Sequence, residues 1–265
     1  MADKSSKEFQ SFLDNNQYTS SGILRYERVF GRGFVSTGGL ETTKEFVEML
    51  NLAPGQKVLD VGCGIGGSAF YMIKNFHVEV RAVDLSTNMI EIGKQRAAEF
   101  EIDKVDFEVE DITSAKYEPG TFDVIYSRDT ILHIEDKESL FTNFLTWLKP
   151  GGQLLISDYS CGTGEWSKRF KAYVTQRHYH LLDPESYGKL VEKVGFSNVR
   201  AVDRTLQFMD VLQKEREKTE KQKDEMLKSF SLEEYNILVE GWSAKLERCR
   251  DGDQRWVLVH AFKPQ

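Results

Sequence analysis

Cysteine is scarce in this chain: three in 265 residues, Cys63, Cys161 and Cys249, with no C-x-x-C spacing and one thiol left over from any pairing. That usage excludes a disulfide scaffold and fits a reducing compartment, so a cytoplasmic protein is expected. An excess of positive charge is missing too. The formal charge is −7, which argues against nucleic acid as a partner, because a phosphate backbone is held by a clustered positive surface that releases counterions. No run approaches the ~18 to 20 apolar residues of a membrane helix, and MADKSSKEFQSF offers no apolar signal core, so neither membrane insertion nor export is expected. His77, His178, His180 and His260 fall in no metal-ligand pattern, and no metal is expected. Internal repeats and low-complexity segments are absent.

With 40% apolar and 29% charged residues, the composition is that of an ordinary globular protein, and the length suits one large α/β domain. Strand and helix alternate along it. Phe9, Phe12 and Leu13 stand at helix spacing before NNQYTSSG breaks the pattern, and a helix is expected over 39–50. KVLDVGC is a compact apolar run ending in a glycine-rich turn, followed by a helix over 67–75. VEVRAVDLS, VDFEVEDI and TFDVIYSRD predict three more strands, with a helix over 88–100 between the first two. A helix over 136–148, the turn K-P-G-G, the strand QLLISDY, two helices near 166–176 and 184–194, and the strands VRAVDRT and RWVLVHAFK complete the series. Residues 206–249 predict helix, and the alternating signs of EREKTEKQKDEMLK suit a solvated face. This order gives a seven-stranded, mostly parallel sheet with helices on both faces and ligands at the carboxyl ends of its strands.

Asp60, Gly62, Gly64, Gly66 and Gly67 sit in a strand-turn-helix where glycine lets backbone approach a ligand. Gly62, Gly64 and Gly67 also satisfy G-x-G-x-x-G, with Asp84 near the spacing of a ribose-binding acid, so a nicotinamide enzyme stays open on these residues alone. Asp60 directly before the turn, the pair Asp111 and Ile112 after the third strand, and L-K-P-G-G before the fifth point elsewhere. With these the chain resembles the class I S-adenosylmethionine methyltransferases. The resemblance implies that Asp84 pairs with ribose hydroxyls, Asp111 reads the adenine amine, and Ile112 or Leu85 packs the ring.

NNQYTSSG, FGRGFVSTGGLE, IYSRDTILHI, ISDYS, YVTQRHYHLL and EGWSAK resemble, along nearly the whole chain, the phosphoethanolamine N-methyltransferases. That likeness implies N-methylation of phosphoethanolamine or its partly methylated forms toward phosphocholine, with S-adenosylmethionine as donor and S-adenosylhomocysteine as product. It implies Tyr18 and Tyr26 closing over the site, Asp129 and His133 serving the amine, and Tyr159, Tyr173, Arg177, Tyr179 and Lys245 holding the phosphate. Val35, Ser36 and Arg128 join the cofactor side. On this basis one domain is expected over 1–265: a helical lid over 1–50, a cofactor core over 51–160 and a substrate part over 161–265, acting as a monomer. Asp129 and His133 stand at i and i+4, so a helical turn would put carboxylate and imidazole on one face. An imidazole with a pKa of ~6.5 would take the amine proton, with Asp129 fixing its tautomer and favouring its charged form. A methyltransferase acting on a sterol or quinone, or a cofactor-binding pseudoenzyme, is the competing reading.

Overall fold

Apolar residues at 58, 59 and 61 without polar alternation predict a strand covered on both faces, and β1 (Lys57–Val61) lies in mid-sheet with its last four residues buried. A computed structural model describes residues 2–265, with side chains from Ser6 onward. The other strands are β2 (Glu79–Asp84), β3 (Val105–Val109), β4 (Phe122–Arg128), β5 (Leu148–Cys161), β6 (Ser197–Asp203) and β7 (Gln254–Phe262). They form a seven-stranded sheet in the order β3-β2-β1-β4-β5-β7-β6. Strands β1 to β5 pair in parallel, and β7 runs antiparallel to both neighbours. Strand order reverses between β1 and β4, which opens a crevice at their carboxyl ends.

Helices cover both faces: α1 (Ala2–Phe12), α2 (Ser20–Phe30), α3 (Gly39–Glu48), α4 (Gly67–Phe76), α5 (Thr87–Glu99), α6 (Lys137–Trp147), α7 (Lys168–Arg177), α8 (Pro184–Val194), α9 (Thr205–Lys221), α10 (Lys223–Met226) and α11 (Leu232–Arg250). Val58, Val80, Val124, Leu155 and Trp256 meet Phe46, Met72, Phe208 and Trp242 on one face. On the other, Leu59, Val83, Ile125, Leu154 and Val257 meet Phe141, Phe144, Tyr187 and Val191. Each fully buried large apolar side chain contributes about 1.5–3 kcal/mol, so these two layers hold the crevice rigid.

The amino-terminal segment is tied down over that crevice. Helix α1 passes into a π-helical turn, Leu13–Gln17, and α2 then starts at Thr19, whose Oγ1 accepts from the Gly22 amide at 3.2 Å. Asp14 reaches the start of α5, accepting from Ser86 Oγ at 2.5 Å and from the amides of Thr87 and Asn88. A carboxylate there meets the positive end of the helix dipole. Gln10 Nε2 donates to the Leu85 carbonyl at 2.9 Å, and Asn88 Nδ2 to that of Tyr18.

Two stretches differ from expectation. K-P-G-G is drawn into β5 as an irregularity: Phe122 pairs with Leu148, Val124 with Gln153, and Gly151 and Gly152 exchange backbone bonds with Lys263. The run EREKTEKQKDEMLK is not a solvated face throughout, because Glu215, Thr219 and Met226 are buried. Glu215 tolerates this by accepting from the Gly38 amide at 2.6 Å and Trp242 Nε1 at 3.2 Å.

Candidate active site

One cavity of about 1210 Å³ opens at the carboxyl ends of β1, β2 and β4 and runs beneath the amino-terminal segment. Nearly all the residues singled out in the sequence line it, Gly66 excepted: Val35, Ser36, Asp60, Gly62, Gly64, Gly67, Asp84, Leu85, Asp111, Ile112 and Arg128 toward the glycine turn, and Tyr18, Tyr26, Asp129, His133, Tyr159, Tyr173, Arg177, Tyr179 and Lys245 toward the helical side.

At the turn, Gly62 has φ +69°, and a Cβ there would lie 2.0 Å from Thr130 Oγ1. Only glycine allows that approach. Asp84, ending β2, accepts from the amides of Gly64 at 3.0 Å and Ser86 at 2.9 Å, and burial raises its pKa to about 6. Asp60 is 2% exposed, and its Oδ2 has no partner. Burial, then the neighbouring Asp84, lifts its pKa to about 7 against the pull of Arg128. A buried oxygen without a donor marks a place where a cationic or hydrogen-bonding ligand group is wanted. Asp111 Oδ1 accepts from the amide and hydroxyl of Thr113. Arg128 turns its two terminal amino groups to the 37–43 stretch opposite, reaching the Thr37 carbonyl at 2.6 Å, Thr43 Oγ1 at 2.8 Å and the Gly39 carbonyl while Nε has no partner, so it shapes the wall that carries Val35 and Ser36.

The segment 128–133 crosses from the turn to the helical side, with Thr130 Oγ1 3.4 Å from the Gly62 carbonyl and the His133 ring 5.1 Å from that of Tyr179. No α-helical turn joins Asp129 to His133. Asp129 takes a left-handed φ of +52°, and a short 3-10 turn, Ile131–His133, follows. The carboxylate is thereby sent to Trp256 Nε1 at 2.8 Å and Ser157 Oγ at 3.3 Å, leaving Oδ2 without a partner. Its pKa is raised by burial. His133 Nε2 lies 3.4 Å from the Tyr18 hydroxyl instead, and Nδ1 has no partner. The imidazole is also not held in its charged form: burial, then Lys137, Arg177, His180 and His178, push its pKa down to about 3. Burial keeps the Tyr18 hydroxyl protonated, so it can donate.

On the helical side, Lys245 Nζ donates to the Tyr159 hydroxyl at 3.0 Å. The rings of Tyr173 and Tyr159 lie 5.7 Å and 6.3 Å from that of Tyr179. Tyr179 does not share the helix of Tyr173 and Arg177. The chain leaves α7 at Arg177, reverses at His178 with φ +54°, and brings Tyr179 back onto the cluster. Sequence reasoning missed Trp256 and Ser157, which orient Asp129, and Glu215, which backs the 35–39 loop. No local pattern marks them, since their partners lie 27 to 177 positions away. Among the described residues, no group of His, Cys, Asp or Glu is placed to hold a metal ion, and no helix is long and apolar enough to cross a membrane.

A family model described as a methyltransferase domain matches residues 40–201. The chain is 37% identical to the phosphoethanolamine N-methyltransferase of Plasmodium falciparum over 96% of each chain. The chain belongs to the phosphoethanolamine N-methyltransferases. Against phosphoethanolamine N-methyltransferase 1 of Arabidopsis thaliana, the identity is 55% over 99% of this chain and 53% of that protein, so the chain spans about half the length of that curated relative. A solved structure of phosphoethanolamine N-methyltransferase 2 from Haemonchus contortus, in complex with phosphomonomethylethanolamine and S-adenosylhomocysteine, superposes with a TM-score of 0.94 at 39% identity, covering 97% of this chain and 60% of that one. The seven-stranded sheet is thus the class I fold of this family.

Proposed function

We propose that the chain transfers a methyl group from S-adenosylmethionine to the nitrogen of phosphoethanolamine, or of its mono- and dimethylated forms, toward phosphocholine for phosphatidylcholine synthesis. One observation carries this reading: a single cavity joins the glycine turn to the Tyr-Arg-Lys cluster, with Asp129 and His133 on its wall. The family relatives named as phosphoethanolamine N-methyltransferases support it. A small phosphoamine is the only partner proposed. A cytosolic monomer without nucleic acid suits the charge of −7 and the three free cysteines.

S-adenosylmethionine, when bound, supplies an already activated methyl group and leaves as S-adenosylhomocysteine. The donor set fits it: the unpartnered Asp60 Oδ2 would meet a cationic group, Asp84 would use its remaining lone pairs for ribose hydroxyls, and Asp111 with Ile112 and Leu85 would hold the adenine. Val35, Ser36 and Arg128 form the opposite wall. At the other end Arg177 and Lys245 supply fixed charge to the phosphate, and Tyr26, Tyr159, Tyr173 and Tyr179 supply neutral donors. Aromatic faces there also suit a nitrogen that becomes a methylated cation.

An ammonium has no lone pair, so the amine must first lose a proton. His133, neutral in the empty cavity, accepts that proton once the negative phosphate of the substrate offsets the burial and positive neighbours that hold its pKa down, while the Asp129 carboxylate faces the cation and aligns it. Tyr18 reaches His133 from the amino-terminal segment, so closing the cavity and aligning the base are coupled. Positioning supplies much of the rate gain. Parallel assays of the three phosphoamines with wild type and His133→Ala test the reading. Wild type is expected to methylate at least one. In the variant turnover falls about 10²- to 10⁴-fold while S-adenosylmethionine affinity holds. Absence of wild-type transfer to all three refutes the acceptor assignment.

A further inference from the structure

Lysine is almost never fully buried unless it is paired, yet Lys137, at the first position of α6, is 4% exposed. Its Nζ donates to the Ile131 carbonyl at 2.9 Å and to the Ile134 carbonyl. Those two carbonyls bracket His133. The rest of the turn is held as closely: the Leu132 amide donates to Asp158 Oδ1 at 3.2 Å, and the Leu132 carbonyl accepts from the His180 amide at 2.7 Å. The His133 and Ile134 amides donate to Thr130 and Ile131. Asp158, at 0% exposure, also accepts from the Tyr187 hydroxyl at 3.1 Å. Helix α6, strand β5 and the connection after α7 therefore converge on the turn 131–134, with Tyr187 of α8 holding Asp158 from behind.

We propose that Lys137 is a positioning residue for methyl transfer: from beneath the turn 131–134 its ammonium fixes the direction of the His133 ring and places a positive charge behind the imidazole. The inference rests on His133 being the proton acceptor. A lysine costs more to bury than an apolar side chain of its length, and two carbonyl acceptors with a facing carboxyl are what make it tolerable here. Groups that face His133 are Tyr18 from the amino-terminal segment, Lys137 from α6, Arg177 and His178 at the end of α7, and Tyr179 and His180 beyond it. None is a carboxylate. Asp129 is turned toward Trp256 and Ser157, and Glu135 acts on His180. After burial, Lys137 is the strongest influence keeping the ring unprotonated. Asp158 faces Lys137 in turn, and burial moves the pair in opposite senses, the ammonium down and the carboxyl up.

Three variants separate the parts of this role: Lys137→Met removes donors and charge, Lys137→Gln removes only the charge, and Lys137→Arg keeps both. Steady-state kinetics gives kcat and KM. Titration of the His133 ring by NMR, on ¹³C-histidine-labelled enzyme with S-adenosylhomocysteine and no acceptor, reads its protonation without any turnover. Lys137→Met is expected to lower kcat at least about tenfold, with S-adenosylhomocysteine affinity within about twofold. Its His133 midpoint rises by about one pH unit. Lys137→Gln shows the same rise with a smaller loss of kcat, which comes from the weaker hold of its shorter amide on the 131–134 carbonyls because the charge it removes opposes proton acceptance, and Lys137→Arg recovers most of both. If Lys137→Met does not fold, Lys137→Gln carries the test. A folded Met or Gln variant with wild-type kcat and an unmoved His133 midpoint overturns the proposal. Because the titration needs no acceptor, it stands apart from a failure of the phosphoamine reading, which shows as absence of wild-type turnover.

Discussion

The indole Nε1 of Trp256, on β7, donates to Oδ1 of Asp129 at 2.8 Å across 127 residues of sequence. That bond and the Ser157 hydroxyl hold the carboxylate in place, leaving Oδ2 for the amine.

Trp256→Phe removes the donor while keeping an aromatic ring against Phe46 and Phe208, whose centroids lie 5.5 Å and 5.2 Å away. A hydrogen bond to a charged group is worth about 1.5–3 kcal/mol, so kcat/KM for the phosphoamine should fall about 10- to 100-fold. Donor affinity, measured by calorimetry, should not change.

Burial raises the Asp60 pKa above its unfolded value, to about 7. A raised carboxyl stabilises the fold at low pH, and that contribution is lost as pH rises through about 7. Asp60→Asn should therefore melt several degrees higher than the ligand-free wild type at pH 8, with the gap narrowing through pH 5 and closing near pH 4. Its S-adenosylmethionine affinity should drop at least about tenfold, the loss of one charge-assisted contact. Scanning calorimetry with and without donor checks both.

His133 carries the opposite sign. Its pKa is depressed to about 3, so its contribution is present above the ordinary ~6.5 and is lost as pH falls toward 3. Wild type should thus lose melting temperature between pH 6.5 and 4 more steeply than His133→Gln, as parallel thermal scans will show.

Glu215 accepts from Gly38 and Trp242. Glu215→Ala strands two donors at about 1–3 kcal/mol each and loosens the 35–39 loop, so both melting temperature and donor affinity should fall. Glu215→Gln keeps an acceptor and should lose less in both measurements.

The sheet was legible because covered parallel strands read as unbroken apolar runs, as in Val58, Leu59 and Val61, and because Asp60, the glycines, Asp84 and Asp111 recur at strand ends. The gathering of distant tyrosines around one cavity came from the family resemblance, and their placement there could not be read from spacing. Local conformation was hidden where one residue departs from the regular pattern. The left-handed φ of Asp129 cancels an apparent i, i+4 pair, and that of His178 ends α7 and turns Tyr179 back toward Tyr173. Buried charges were hidden for a different reason. Glu215 looks like a surface residue until the fold brings up its partners, the Gly38 amide and the Trp242 indole, and Lys137 until the nearby turn 131–134 closes its carbonyls over the ammonium.

The most direct test compares methyl transfer to phosphoethanolamine with transfer to ethanolamine, in wild type and Arg177→Met. The expected result is turnover of the phosphorylated amine, none of measurable size with ethanolamine, and a KM for phosphoethanolamine raised at least about tenfold in Arg177→Met, the loss of one charged phosphate contact. Equal use of both amines, or an unchanged KM in the variant, contradicts a phosphate held by the Tyr-Arg-Lys cluster.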